Sequence, residues 1–254
     1  MARPRRLAPL LVAAALCPPP LAAGDRPIRI VTERLPPFSY EDGATIRGAS
    51  TEVVRAVMRK AGLRHSIEIL PWKRAFDAAL HEPNTLIYSV ARTADREGRL
   101  VWIGKICDRR LALYCLKERA DLLARTLDEL EGATIAVIEA DASEELLRQK
   151  GFGDDNLHVL RDAAANLSAT HVVEGRSDFF VSNPDRMRYA VHGTPLEARF
   201  AQHSVIWEGD GYYLAANPAS DPALVARLVE TFAAMLAAGE IQDLFARAMA
   251  QSGE

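Results

Sequence analysis

The chain has 254 residues, with 31 Lys and Arg against 34 Asp and Glu, a formal net charge of −3 and 49% hydrophobic content. The acidic balance argues against nucleic acid as a partner, which calls for a basic face. No apolar run approaches the roughly 20 residues of a membrane-spanning helix, and the length allows one large domain or two small ones, each with its own core.

The first 24 residues read as a secretory signal peptide. MARPRR is a basic leader, LAPLLVAAALC is an apolar stretch, and Ala22, Ala23 and Gly24 supply a small-residue cleavage site near Ala23 or Gly24. The apolar stretch, about 11 residues, is short for an anchor. Cys17 follows Leu16, where a lipidation site calls for a small residue. Removal of residues 1–24, with Arg3, Arg5 and Arg6, leaves 230 residues carrying 28 basic and 34 acidic groups, a net charge of −6. The mature chain keeps two cysteines, Cys107 and Cys115. In an oxidising compartment they pair only if the chain turns at 108–110, because on one extended strand they stand far apart; otherwise they are two buried thiols.

In chain order, IRIVTE (28–33) reads as a strand ending in a Pro-Pro turn. Ser50 or Thr51 caps a helix through Lys60, with Val53, Val54, Val57 and Met58 on its apolar stripe. Strand 66–72, helix 73–81 and strand 85–90 follow. After a mixed region near 100–120 the order restarts: a helical turn at 127–130, strand 133–138, helix 143–150, strand 157–161, helix 163–174 and strand 178–182. Residues 222–249 read as two helices split at Gly239. A doubled β-α-β-α-β order predicts two similar α/β lobes with parallel sheets. In such sheets ligands gather at the carboxyl ends of the strands. Those ends carry Pro36-Pro37-Phe38-Ser39-Tyr40 and SVARTADRE (89–97) in the first lobe, and Glu139-Ala140-Asp141 and Ser182-Asn183 in the second.

Several of these features together resemble a known family. They are PPFSY after the first strand, Gly48 before the helix, Thr93-Ala94-Asp95-Arg96-Glu97 after the third strand and Trp102 beyond it. Asp128-Glu129-Leu130-Glu131-Gly132, Gly175-Arg176-Ser177-Asp178 and the closing helices around Gly239 complete the set. In order and spacing the chain resembles the periplasmic solute-binding proteins of ABC transporters, in the branch that binds polar amino acids. The resemblance implies a two-lobed type II periplasmic binding protein, each lobe a mostly parallel sheet flanked by helices, with the chain crossing between lobes near 107–116 and 202–212. The expected division is 25–108 for lobe 1, 109–205 for lobe 2 and 206–254 for the return to lobe 1.

The resemblance also implies roles. Arg96 falls on the carboxylate-binding arginine, with Arg92 as its rival. Ser89 and Ala91 fall on contacts at the third strand end, and Trp72 on a cleft-lining position; Tyr40 and Ser39 are further cleft polar groups. Asn183 falls where an Asp usually pairs with the ligand's α-ammonium. Asp141 and Ala142 fall where Ser/Thr hydroxyls usually meet the carboxylate. Leu35 falls where an aromatic usually covers the ligand, with Phe38 nearby. Asn183 lacks the usual charge, Asp141 brings a negative one and Leu35 removes a stacking face. Arg99, Arg109 and Arg110 read as solvated charges, Trp102 as core, and Trp207 as hinge or rim.

The six histidines, at 65, 81, 158, 171, 192 and 203, show no metal-ligand spacing, and no nucleophile elbow, P-loop or dinucleotide fingerprint occurs. No cofactor or metal is expected. The expected function is capture of a small carboxylated, amino-acid-like solute in an interlobe cleft of a periplasmic monomer, for uptake by an inner-membrane ABC permease. The alternatives are a dehydratase on the same fold, acting on a prephenate- or arogenate-like cyclic carboxylate with Glu139, Asp141 or Glu174 as general acid, and a ligand-sensing module reporting to a membrane kinase.

Overall fold

The computed structural model describes residues 27–161 and 167–252; the expected signal peptide lies outside them. The first lobe opens with β1 (Ile28–Thr32), the hairpin β2 (Tyr40–Asp42) and β3 (Thr45–Arg47), α1 (Ala49–Lys60), β4 (His65–Ile69), α2 (Trp72–His81) and β5 (Thr85–Ala91). Strand β1 pairs in parallel with β4 on one side and β5 on the other. Every residue of β5 is buried, as expected of a strand with helices on both faces. The chain then runs out along β6 (Val101–Leu116).

The second lobe follows with α3 (Ala120–Leu123), β7 (Ile135–Ile138), α4 (Ala142–Gln149), β8 (Leu157–Leu160), α5 (Leu167–Val173), β9 (Phe179–Ser182) and α6 (Pro184–Val191). Strand β7 pairs in parallel with both β8 and β9. The chain returns along β10 (Phe200–Ala216) and finishes with α7 (Pro222–Ala237) and α8 (Glu240–Gln251). The expected helix at 163–174 is present from Leu167; its first residues lie outside the described ones.

The long strands β6 and β10 pair antiparallel along their whole length and join both lobes into one sheet of order β4-β1-β5-β10-β6-β9-β7-β8. Their ladder breaks register at five places, which loosens the regular pleat where the lobes meet. One break lies between Glu208 and Asp210, around Gly209, whose φ of 111° suits no residue with a side chain. The expected crossing segments, 107–116 and 202–212, fall on these two strands.

Each lobe has its own core. In the first, Ile30, Val54, Val57, Met58, Leu86 and Phe232 form one face of the sheet with α1, α7 and α8, while Trp72, Phe76, Ile87 and Val90 form the other. In the second, Leu113, Ile135, Leu147 and Phe179 occupy one face and Tyr114, Phe180 and Phe200 the other. Full burial of each large side chain contributes about 1.5–3 kcal/mol.

Two expectations change. Cys107 and Cys115 are unpaired. Both lie on the uninterrupted strand β6, about 26 Å apart at eight residues of extended chain, so no disulfide joins them. Burial pushes their thiols up to about 12 and about 11, so both stay neutral. Helix α1 is not capped by Ser50 or Thr51; Gly48 precedes it at φ 123°, and a Cβ there would stand 2.3 Å from the Phe38 carbonyl oxygen. Thr51 instead reaches the Arg47 carbonyl at 3.1 Å and the Tyr88 hydroxyl at 2.8 Å.

Candidate functional site

The carboxyl ends of the parallel strands in both lobes face one another, which is where this sheet architecture concentrates ligand contacts. Glu33 follows β1. Trp72 follows β4 as the first residue of α2. Ser89 sits near the end of β5, where the pairing with β10 skips it, a bulge whose left-handed φ of 58° turns the side chain out of the ladder. Arg96 closes the short turn after β5. From the second lobe come Asp141 and Ser143 at the start of α4 and Ser182 and Arg186 around the end of β9; Arg109 and Tyr212 come from the long strands. These residues line a cavity of about 40 Å³, room for about three water-sized centres.

Arg96 is the centre of the seam between the lobes. It is 1% exposed, and its guanidinium carbon lies 4.9 Å from the Trp72 ring and 5.0 Å from the Phe76 ring, a cation–π placement. Nη1 donates to the Ala91 carbonyl in its own lobe at 3.3 Å. Nη2 crosses the cleft, donating to the Ala140 carbonyl at 3.1 Å and to Glu145 Oε1 at 2.9 Å. Trp72 Nε1 donates to the same Ala140 carbonyl at 2.8 Å, and Thr93 Oγ1 donates to Glu145 Oε2 at 3.1 Å. Ala140 holds a left-handed φ of 58°, a conformation that costs a non-glycine residue of order 1–3 kcal/mol; here it aims the carbonyl at two donors.

Two further groups set the polarity. Glu33 retains some exposed surface as a residue, yet its carboxyl is deep enough that burial pushes its pKa up to about 8. Asp141 reinforces the rise, and Arg186 and Arg96 oppose it. Ser89 Oγ, Arg96 Nε and Arg186 Nε are buried with no hydrogen-bond partner among the described residues, so the lining is rich in donors.

The expected site residues divide. Arg96, Ser89, Ala91, Trp72, Asp141 and Leu35 line the cavity. Asp141 does so while capping α4, accepting from the Ser143 amide at 2.8 Å. Phe38 is core, its ring 5.4 Å from Tyr212 and 5.9 Å from Phe245. Asn183 is buried as the cap of α6, accepting from the Asp185 amide at 2.8 Å, and does not line the cavity. Arg92 points away: it pairs with Glu97 and stacks over Trp102 and Tyr213. Tyr40 is half-buried on the hairpin, its ring 5.7 Å from Tyr189 of α6, and so touches the other lobe without lining the cavity. Ser39 donates to the Glu33 carbonyl at 2.8 Å, fixing the backbone of that residue.

Arg109, expected as a solvated charge, is 4% exposed and lines the cavity. Arg110 does lie at the surface, with Glu208. Of the acids considered for general-acid work, Glu139 lies near Lys73 and Arg161 and Glu174 pairs with Arg176; only Asp141 reaches the cavity. Among the described residues the acid whose pKa is pushed up is Glu33, which the strand-end rule would have found, since it follows β1 directly. Among the described residues there is no cluster of three or more His, Cys, Asp or Glu that could hold a metal, and no helix long and apolar enough to cross a membrane.

Two α/β lobes, joined by a pair of long strands and closing strand ends over a polar cavity, define a solute-binding protein. The chain belongs to the bacterial extracellular solute-binding proteins, family 3, whose model matches residues 28–251. Among solved structures it is similar to a histidine kinase sensor domain with similarity to periplasmic binding proteins (TM-score 0.77, 19% identity, 87% of this chain and 95% of that one). It is also similar to an ancestral arginine-binding protein bound to glutamine (TM-score 0.74, 17% identity, 89% and 98%). A third is the periplasmic binding protein of an arginine 3rd transport system from Legionella pneumophila (TM-score 0.73, 17% identity, 87% and 98%). At these identities the likeness shows the fold. No curated protein matches the chain.

Proposed function

We propose that this protein is secreted through a cleaved signal peptide and works as a periplasmic monomer. It captures a small carboxylated, amino-acid-like solute between its lobes and delivers it to an inner-membrane ABC permease. Residues 25–108 and 206–254 make the first lobe and 109–205 the second. The observation that carries this reading is Arg96: a guanidinium just past a strand end, packed against two stacked aromatic rings, with one donor unpartnered beside a donor-rich cavity. A planar fork in such a place suits a carboxylate. Ser89, Trp72 and the Asp141 turn surround the rest of the solute. Closure follows from the solute bridging the two lobes, so that the closed form gains population when it binds.

A thermal-shift screen of amino acids, amines and organic acids tests this. The reading expects carboxylated solutes to raise the melting temperature and Arg96→Ala to abolish the response; a response that survives Arg96→Ala removes the clamp.

A second reading draws on the histidine kinase sensor domain among the similar structures: the same capture of a solute would report to a membrane kinase. Crosslinking in membranes, with and without the solute, separates the two by whether a permease or a kinase is recovered.

A further inference from the structure

Glu145 bears on how the cleft admits a solute. It stands in the first turn of α4, in the second lobe, with its carboxylate on the Arg96 guanidinium of the first. The Trp72 and Phe76 rings, stacked on each other 5.2 Å apart, both lie to one side of that guanidinium, and its donors lie around its edge. One edge carries Nε and Nη2 side by side, the pair that takes a carboxylate through two parallel hydrogen bonds. Glu145 uses half of it. Its Oε1 accepts from Nη2 at 2.9 Å, its Oε2 turns away to Thr93 Oγ1 at 3.1 Å, and Nε has no hydrogen-bond partner among the described residues.

Resting on the reading of Arg96 as the solute's clamp, we propose that Glu145 is a built-in occupant of the Arg96 site, which the solute's carboxylate displaces. A free carboxylate gains two bonds on the Nε–Nη2 edge where Glu145 makes one. The two carboxylates exclude each other, because Nη2 already donates to Ala140 and Glu145, so a carboxylate on the Nε–Nη2 edge needs a donor that Glu145 holds, and the two like charges repel. Exchange keeps the buried guanidinium compensated throughout. A neutral analogue, such as the amide of the same solute, cannot make the exchange without leaving Arg96 uncompensated. Glu145 therefore sets a threshold that rejects neutral molecules and weak single-point anions. With Thr93, and with the Trp72 and Arg96 bonds to Ala140, it also bridges the lobes.

The test uses the full mature chain as wild type, Arg96→Gln, Glu145→Gln and Thr93→Val, in two arms. Small-angle scattering without added solute is expected to give a larger radius of gyration for Glu145→Gln than for wild type, and an intermediate one for Thr93→Val. Thermal-shift titration with L-amino acids and C2–C5 carboxylates, each beside its amide, is expected to show about tenfold tighter carboxylate binding by Glu145→Gln than by wild type, with the preference over the amides reduced. Glu145→Gln binding the same carboxylates equally or more weakly, with Arg96→Gln still abolishing binding, overturns the displacement and leaves the clamp standing. Coincident scattering of wild type and Glu145→Gln overturns the bridge between the lobes. Binding that survives Arg96→Gln, or no response to any carboxylate in either protein, fails the clamp reading, and the displacement falls with it.

Discussion

The guanidinium of Arg96 and the carboxylate of Glu145 meet at 2.9 Å across the cleft, one from each lobe, with Arg96 almost wholly buried and Glu145 22% exposed. This pair and the shared carbonyl of Ala140 beside it join the two lobes across the cleft. Removing a buried charge from such a pair leaves the other uncompensated, though here Thr93 and partial exposure cushion Glu145. Arg96→Gln is expected to lower the unfolding free energy by about 2 kcal/mol in urea titration; an unchanged midpoint would show that the pair contributes nothing to the fold.

Trp72 presents a second, separable contribution. Trp72→Phe keeps a ring for Phe76, which lies 5.2 Å away, and removes only the indole donor to Ala140. A single lost hydrogen bond is worth about 1 kcal/mol, so solute affinity should fall roughly fivefold in calorimetric titration. A loss of hundredfold or more would mean that the indole touches the solute directly.

Glu33 gives the molecule a pH dependence of known sign. Its pKa is about 8 in the folded chain against an ordinary 4.5, so between those values the folded state holds a proton that the unfolded state has released. This group makes folding less favourable as pH rises through that window, by at most about 1.4 kcal/mol per pH unit. Glu33→Gln should therefore melt higher than wild type at pH 8–9, with the difference vanishing near pH 4.5. Parallel melting curves across that range would show that the carboxyl is solvated.

The two cysteines make a plain prediction. Cys107 and Cys115 are both thiols on one strand, so reductant should leave the melting temperature unchanged, and Cys107→Ser and Cys115→Ser should each remove one equivalent of thiol-reagent uptake by the unfolded protein. A drop in melting temperature on reduction would place a disulfide where β6 shows none.

Gly48 tests the backbone beneath the site. Its φ of 123° and the 2.3 Å approach of the Phe38 carbonyl oxygen leave no room for a Cβ. Gly48→Ala should cost more than about 2 kcal/mol of stability by chemical denaturation.

The parallel units of both lobes were legible because their strands and helices carry the apolar periods of 2 and 3.6. Strand β6 was not. Its middle reads Lys105, Asp108, Arg109 and Arg110, because the strand passes between lobes where neither face is continuously covered, and no alternation survives. Much of the cavity followed from one rule, that ligand groups gather at strand ends, which found Ser89, Arg96 and Asp141; Trp72 came from the family resemblance. The same rule over-reached at Asn183. There the sequence held a counter-signal, an Asn directly before Pro184, which spells a helix cap followed by its first residue. Strand position alone did not separate Arg92 from Arg96, since both follow the same strand, and the resemblance favoured Arg96; the turn at 94–96 sends Arg96 inward and leaves Arg92 with Glu97. Glu145 could not be read at all, since its partner lies 49 residues away on the other lobe.

The central claim is that the cleft holds a small carboxylated solute on Arg96. A native mass spectrum of the protein purified without denaturation, wild type beside Arg96→Gln, tests it most directly. The account predicts a small-molecule adduct on wild type that is released as a carboxylic acid and is missing from Arg96→Gln. An adduct of equal occupancy on both proteins, or a released molecule without a carboxylate, would contradict it.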